Sequence, residues 1–398
     1  MEDNDPILFV EINDKNYIFI AGKYNENQNF KIIEKIIINA EGIIKGKFTN
    51  IEAASKAIKK NVEILESKLN YIFKNVIVII ENIETSCINL SGSKKLNGSQ
   101  LLKENISYIL NSLKAAVADN DKEKTILHIF NSKSILDGTS VENLPIGLFG
   151  DFYNHELTFF LIGNNELKNI KQIFGKSNLE VKKIILKEFS EGTQIINENK
   201  NESFFKITIN SESSSVSFFD QDSFRFSEHF KFGTNIIFKD ITKICSLNNE
   251  IITNYLSEGF CKDTIIDNEQ LIEEKFFIKG RYRKIRKKLI ADIVDARIEE
   301  ICNIIFKKNV NLNYLKKGGY KVYLKLQDKL LTKNFIDNFK FYLLKERIYD
   351  LTVIDDFDLE SFTTSIADLS SYGWKKEAIP IIQTKNSLIA RIFKSLFD

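Results

Sequence analysis

Proline is almost absent from this chain of 398 residues: there are three, with one tryptophan, one methionine and three histidines. The histidines, His128, His155 and His229, have no metal-ligand spacing, so no zinc site is expected. The cysteines, Cys87, Cys245, Cys261 and Cys302, lie far apart without a Cys-x-x-Cys pair, which predicts free thiols in a reducing compartment. No apolar run approaches the ~18 residues that a membrane-spanning helix needs. The opening MEDNDPILF is acidic with a short apolar run, so no secretory signal is expected. An excess of one charge is also missing. Lys and Arg total 56 against 54 Asp and Glu, a formal net charge of +2, and bulk charge gives no reason to expect nucleic acid.

Hydrophobic residues make up 43% and charged residues 28%, enough for packed cores in two or three domains or one two-lobed body. ILFVEIND and KNYIFIAGKY read as two strands joined by a polar turn, and FKIIEKIIINAEG continues the sheet. Ile51, Ala54, Ile58, Val62, Leu65, Leu69 and Ile72 mark one face of a long helix. NVIVIIEN and TSCINLSG are strands, a helix follows over 99–117, and KTILHIFNSKSIL and ELTFFLIG are strands again. ESFFKITIN, SSVSFFDQ and SFRFSEHFKFG then restart the pattern as a three-stranded meander. Helices are predicted over 235–258, 286–308 and 332–345, with YKVYLKL a strand between the last two. Strands opening each half, followed by helices, predict two related α/β lobes. The polar segment 373–386 reads as a linker to an amphipathic tail at 387–398.

Several stretches resemble one family. GIIKGKFTNIEAASKAIKKNVE (42–63), ILHIFNSKSILDG (126–138) with LPIGLFG (144–150), DIVDARIEEI (292–301) and ESFTTSIADLSSYG are similar to segments of FtsA, the actin-like bacterial division protein. The resemblance implies an α/β, actin-like (ribonuclease H-like) two-lobed fold with an FtsA-type inserted subdomain in the first lobe. The implied divisions are a first lobe at 1–75 and 164–199, the inserted subdomain at 76–163, and a second lobe at 200–235 and 311–372. A second-lobe insert at 236–310 would carry the site for FtsZ.

Actin-like proteins hold ATP and its magnesium between two glycine-rich hairpins, where backbone N–H groups approach phosphate without a Cβ in the way. The positions of this chain that match the first hairpin are Glu11, Asn13 and Asp14. Those matching the second are Thr208, Asn210 and Ser213, with Gly233 before the next helix and Leu326 on the adenine side. Glycine is lost from both hairpins, a carboxylate is lost from the second, and Leu326 stands where glycine would admit a purine. Glu11, Asp14 and Glu212 would repel a polyphosphate unless a cation intervened. The expectation is a degenerate nucleotide site with no hydrolysis, although binding through backbone groups is the alternative.

The basic run KGRYRKIRKK (279–288) reads by default as a solvated loop. The resemblance implies instead that Arg283 and Arg297 help hold the acidic C-terminal peptide of FtsZ, with Glu300 beside them. Arg297 also has a plainer reading, an i,i+3 pair with Glu300. Leu388, Ile389, Ile392, Phe393, Leu396 and Phe397 form an apolar stripe edged by Arg391 and Lys394, the pattern of a helix lying on an anionic membrane surface. A terminal helix that packs on its own core is the alternative. The resemblance thus implies a division adaptor at the cytoplasmic side of the bacterial plasma membrane, at the division site. Its partners would be FtsZ, further copies of itself and later division proteins. The competing readings are a pilus-assembly scaffold resembling PilM, and an actin-like protein that still binds ATP.

Overall fold

The opening apolar runs pair as expected in the computed structural model, which describes residues 5–27, 29–44, 46–199, 203–257, 270–313, 315–316, 320–327, 332–344 and 350–378. β1 (Ile7–Ile12) and β2 (Asn16–Tyr24) form an antiparallel hairpin that β3 (Phe30–Asn39) extends. The short pair β4 (Ile43–Ile44) and β5 (Lys47–Phe48) leads into α1 (Ile51–Leu69). Ala54, Ile58, Val62 and Leu65 of α1 are buried. Asn50 starts that helix by accepting from the Ala53 N–H, and Asn70 ends it in the left-handed region. β6 (Asn75–Ile80) then runs parallel to β1.

A second sheet follows, built from β7 (Thr85–Lys95), β8 (Lys124–Leu136), β9 (Thr139–Val141) and β10 (Phe152–Gly163) in the order β7-β10-β8-β9. α2 (Lys103–Asn120) buries Ile106, Ile109, Leu110 and Val117 against it. The FtsA-like signature has structural work here. Asp137 and Gly138 turn the chain at positive φ between β8 and β9, and the Asp137 carboxylate accepts from the Asp151 and Phe152 amides at 2.9 and 2.7 Å. α3 (Asn164–Gly175), β11 (Glu180–Leu186) and α4 (Lys187–Glu198) complete this part, with the first sheet in the order β11-β6-β1-β2-β3.

The chain divides into two compact units: 1–202, 219–227 and 357–398, and 203–218 with 228–356. The second contains β12 (Phe204–Ile209), β13 (Ser214–Asp220), β14 (Ser223–Phe230), α5 (Asn235–Cys245), α6 (Asn249–Ser257), α7 (Lys287–Cys302), β15 (Lys321–Leu326), α8 (Thr332–Leu344) and β16 (Leu351–Ile354). The far end of the β13–β14 hairpin is grouped with the first unit. The sheet order is β14-β13-β12-β15-β16, with β15 parallel to both neighbours. The helix expected over 235–258 is two helices, divided where Ser246 takes a left-handed conformation.

Three boundaries differ from those read in the sequence. The inserted sheet begins at Thr85 rather than 76, because 75–80 pairs inside the first sheet. α9 (Leu359–Tyr372) belongs to the first unit, not to the second lobe. Its Leu369 carbonyl accepts from the buried Lys183 ammonium at 2.6 Å, and its Asp368 accepts from the Tyr24 hydroxyl at 3.1 Å. The segment 373–386 is not a linker over its first part. Trp374, Glu377 and Ala378 are buried, and 376–378 pairs with β8 on the edge that β9 leaves uncovered. The Asn131 amide donates to the Lys376 carbonyl and the Ala378 amide to the Ile129 carbonyl, both at 2.7 Å. The Trp374 indole N–H donates to the Asp222 carbonyl at 2.7 Å, and Ala378 joins the apolar cluster of Leu110, Ile129 and Leu157.

His155 in β10 is 1% exposed, and neither ring nitrogen has a hydrogen-bond partner among the described residues. Burial pushes its pKa down from 6.5 to about 4. Below pH 6.5 the unfolded chain takes up a proton that the folded chain refuses, so stability falls as pH drops through this window. The loss should reach about 2 kcal/mol by pH 5. In matched thermal scans, His155→Leu should flatten this part of the acid limb, and an unchanged limb would refute the assignment.

Candidate functional site

Three parallel strands of the first sheet end together. β1 ends at Ile12 and β6 at Ile80, a paired position, and β11 ends at Leu186 opposite the same Ile80. In open α/β sheets, ligands bind at such carboxyl ends. Here that end carries Glu11, Glu81 and the first residue of α4, Lys187. The Lys187 ammonium lies 2.7 Å from Glu11 Oε1 and 2.8 Å from Glu81 Oε2. Glu11 is 4% exposed and the Lys187 side chain 15%.

The cluster has more carboxylate than ammonium. Burial raises the Glu11 pKa, Lys187 opposes this, and the Glu81 charge raises it further. Burial also disfavours charge on Lys187, yet Glu81, Glu11 and Glu191 hold its ammonium well above the usual lysine range. One lysine is therefore shared by several buried acids.

The turn after β1 is closed by its own side chains. Asn13 Oδ1 accepts from the Lys15 and Asn16 amides at 2.9 and 2.8 Å, an Asx turn, and Asn13 Nδ2 donates to Glu11 at 3.0 Å. Asp14 accepts from the Gly46 N–H. Gly46 has φ +72°, and a Cβ there would lie 2.0 Å from the Asn82 carbonyl oxygen, so only glycine fits. Burial raises the Asp14 pKa despite this hydrogen bond.

In the second unit, the hairpin after β12 is also self-satisfied. The Asn210 amide donates to the Ser213 carbonyl at 2.8 Å, and Asn210 Nδ2 to Ser213 Oγ at 3.2 Å. The Thr234 and Asn235 amides at the start of α5 donate to the Asn210 and Ser211 carbonyls at 3.0 and 2.9 Å. Those N–H groups are the donors a phosphate would use at a helix start. Gly233 allows this contact, since a Cβ there would lie 2.0 Å from the Asn210 carbonyl oxygen. Thr208 Oγ1 accepts from the buried Lys206 ammonium at 3.1 Å. Leu326 lies opposite Ile209 in the parallel pair.

The two arginines of the expected partner site both lie against α5. Arg283 donates to the Ile244 carbonyl near the end of that helix. Arg297 of α7 holds Asp240 of α5 and also Glu300, so the i,i+3 pair forms. Ile244 and Tyr282 are exposed beside them. The tail positions Leu388, Ile389, Arg391, Ile392, Phe393, Lys394, Leu396 and Phe397 lie outside the described residues. Among the described residues, no helix is long and apolar enough to cross a membrane, and no group of three or more His, Cys, Asp or Glu is placed to hold a metal.

Sequence reasoning did not find Glu81 or Lys187. The signal was a lysine just after the apolar strand end VKKIIL, where the chain enters a helix. It also missed the buried Glu377 carboxylate, 2.7 Å from His128 Nδ1.

No protein-family model matches the chain. It is 22% identical over 326 residues to cell division protein FtsA of Buchnera aphidicola subsp. Schizaphis graminum, covering 79% of this chain and 75% of that protein. It is 21% identical over 320 residues to FtsA of Neisseria meningitidis serogroup B, covering 79% and 74%. Among solved structures it resembles the PilM-PilN type IV pilus biogenesis complex, with a TM-score of 0.54 and 11% identity over 89% of this chain and 93% of that one. The chain is a distant homologue of FtsA proteins and has the actin-like fold.

Proposed function

We propose, from this distant homology to FtsA, that the chain is a cell division adaptor that tethers FtsZ filaments to the inner face of the plasma membrane. It recruits later division proteins and assembles with further copies of itself. The observation that carries the reading is a sequence likeness to FtsA over about four-fifths of the chain. The PilM likeness is one of fold at 11% identity and supports no function by itself.

We further propose that the adaptor works without hydrolysing ATP. Glu11 of the first hairpin and Glu81 just after β6 already share an internal ammonium, and the amides at the start of α5 already have acceptors. Magnesium and ATP do not fit such a set: the cation's carboxylates and the phosphate's donors are both taken. In calorimetry, the purified protein should show no binding of ATP with magnesium. Micromolar binding would instead favour an ATP-dependent actin-like protein.

The direct test of the adaptor is co-sedimentation of the full chain with FtsZ and anionic vesicles, beside a version ending at Lys385. The full chain should carry FtsZ to the vesicles, and the shortened one should bind FtsZ without them. Failure of the full chain to bind FtsZ would refute the reading. The partner site has its own test. Because Arg297 is held by Asp240, Asp240→Asn should free it and tighten binding of the acidic FtsZ tail peptide, whereas Arg297→Glu should weaken it at least tenfold. Unchanged affinity in Arg297→Glu would remove Arg297 from the site.

A further inference from the structure

Buried carboxylates of like charge need a cation between them, or one must take up a proton. Glu11 and Glu81 leave water together at the carboxyl ends of β1 and β6, and Glu191 of α4 adds a third charge nearby. The FtsA resemblance implies magnesium near the first hairpin, to which Glu11 belongs. The group beside Glu11 in this chain is the Lys187 ammonium, in hydrogen-bonding contact with both acids.

The placement of Lys187 is costly unless its charge is used. It is the first residue of α4, where the helix macrodipole repels a cation. It enters a largely buried position, where an ammonium loses hydration. Both costs are offset only by the acids it bridges. A neutral residue would avoid them, but would leave Glu11 and Glu81 facing each other.

We propose that Lys187 is the resident cation of this site, a covalently attached ammonium that occupies the place of a dissociable metal ion. The inference deepens the nucleotide-independent reading and rests on it. Its consequence is that the turn after β1 keeps one arrangement at all times. Asn13 stays bonded to Glu11, and Glu11 stays bonded to Lys187, whatever nucleotide is present. Charge balance that depends on a bound metal nucleotide can be lost on its release. Charge balance supplied by a side chain cannot.

The test uses the full chain and three measurements of thermal unfolding. The wild-type midpoint should not move on adding magnesium and ATP. A rise would overturn the nucleotide-independent reading itself. Lys187→Ala should lower the midpoint by roughly 10 °C. Ethylammonium chloride should then restore part of that loss, beyond what sodium chloride does at equal ionic strength. Equal effects of the two salts, or a variant as stable as wild type, would overturn the internal-cation inference alone. If Lys187→Ala does not fold, the decisive variant is Lys187→Met combined with Glu11→Gln, Glu81→Gln and Glu191→Gln. This set keeps the shapes and removes all four charges. Recovery of folding supports charge balance as the role of Lys187, and failure to recover shows that its role is packing.

Discussion

Glu377→Ala should destabilise the full-length protein by about 1 to 3 kcal/mol, the range for leaving a buried hydrogen-bonding group without its partner. Glu377 is 1% exposed and meets His128, which is fully buried. Burial lowers the pKa of nearby Lys183 to about 8, and the Glu377 charge opposes that fall. Removing the carboxylate therefore leaves the buried His128 Nδ1 without this hydrogen-bond partner and Lys183 without this counter-charge. The same residue sits in the strand that 376–378 adds to β8, so its loss should also loosen that pairing. Hydrogen exchange offers a local reading of the second effect. The amides of Asn131 and Ala378 should exchange faster in the variant, because each bonds across this pairing. Glu377→Gln should be milder, since an amide can still accept from the histidine ring. A loss under about 1 kcal/mol in Glu377→Ala would show that the pair contributes little net stability.

This segment shows where a single sequence is readable and where it is not. Ile58, Val62 and Leu65 announce a helix because their neighbours in space are also neighbours at a spacing of three or four. Glu11 could be placed at a strand end for the same local reason: it closes a run of apolar residues. Lys187 also follows an apolar run, but that mark places it only at a strand end. Its role exists only because β11 pairs beside β6, which brings three strand ends together from distant parts of the chain. Glu377 is harder still. A polar stretch between a helix and a terminal stripe has the composition of a linker, and nothing local reports an uncovered edge on β8. Arg297 falls between these cases. Its pairing with Glu300 was legible as helix spacing, whereas its hold on Asp240 needed the packing of α7 against α5. Periodicity reports which face of an element is buried. It does not report which charges the fold brings together.

Phe393→Glu should move the full chain from anionic vesicles into the supernatant while leaving its affinity for an FtsZ tail peptide unchanged. Phe393 lies in the apolar stripe of the tail, between Arg391 and Lys394. Withdrawing one phenylalanine from a membrane interface costs about 2 to 3 kcal/mol. A carboxylate in its place, near an anionic surface, adds roughly 1 kcal/mol of the opposite sign to a lysine or arginine. Together these weaken binding by several hundredfold at about 1.4 kcal/mol per tenfold. On the proposed reading, a tail this short should bind weakly even when intact, because a short helix must fold as it inserts. The variant should therefore fail even where many copies on one filament bind together, since avidity multiplies a contact and cannot replace it. A Phe393→Glu protein that still pelleted with vesicles would place membrane binding elsewhere on the chain.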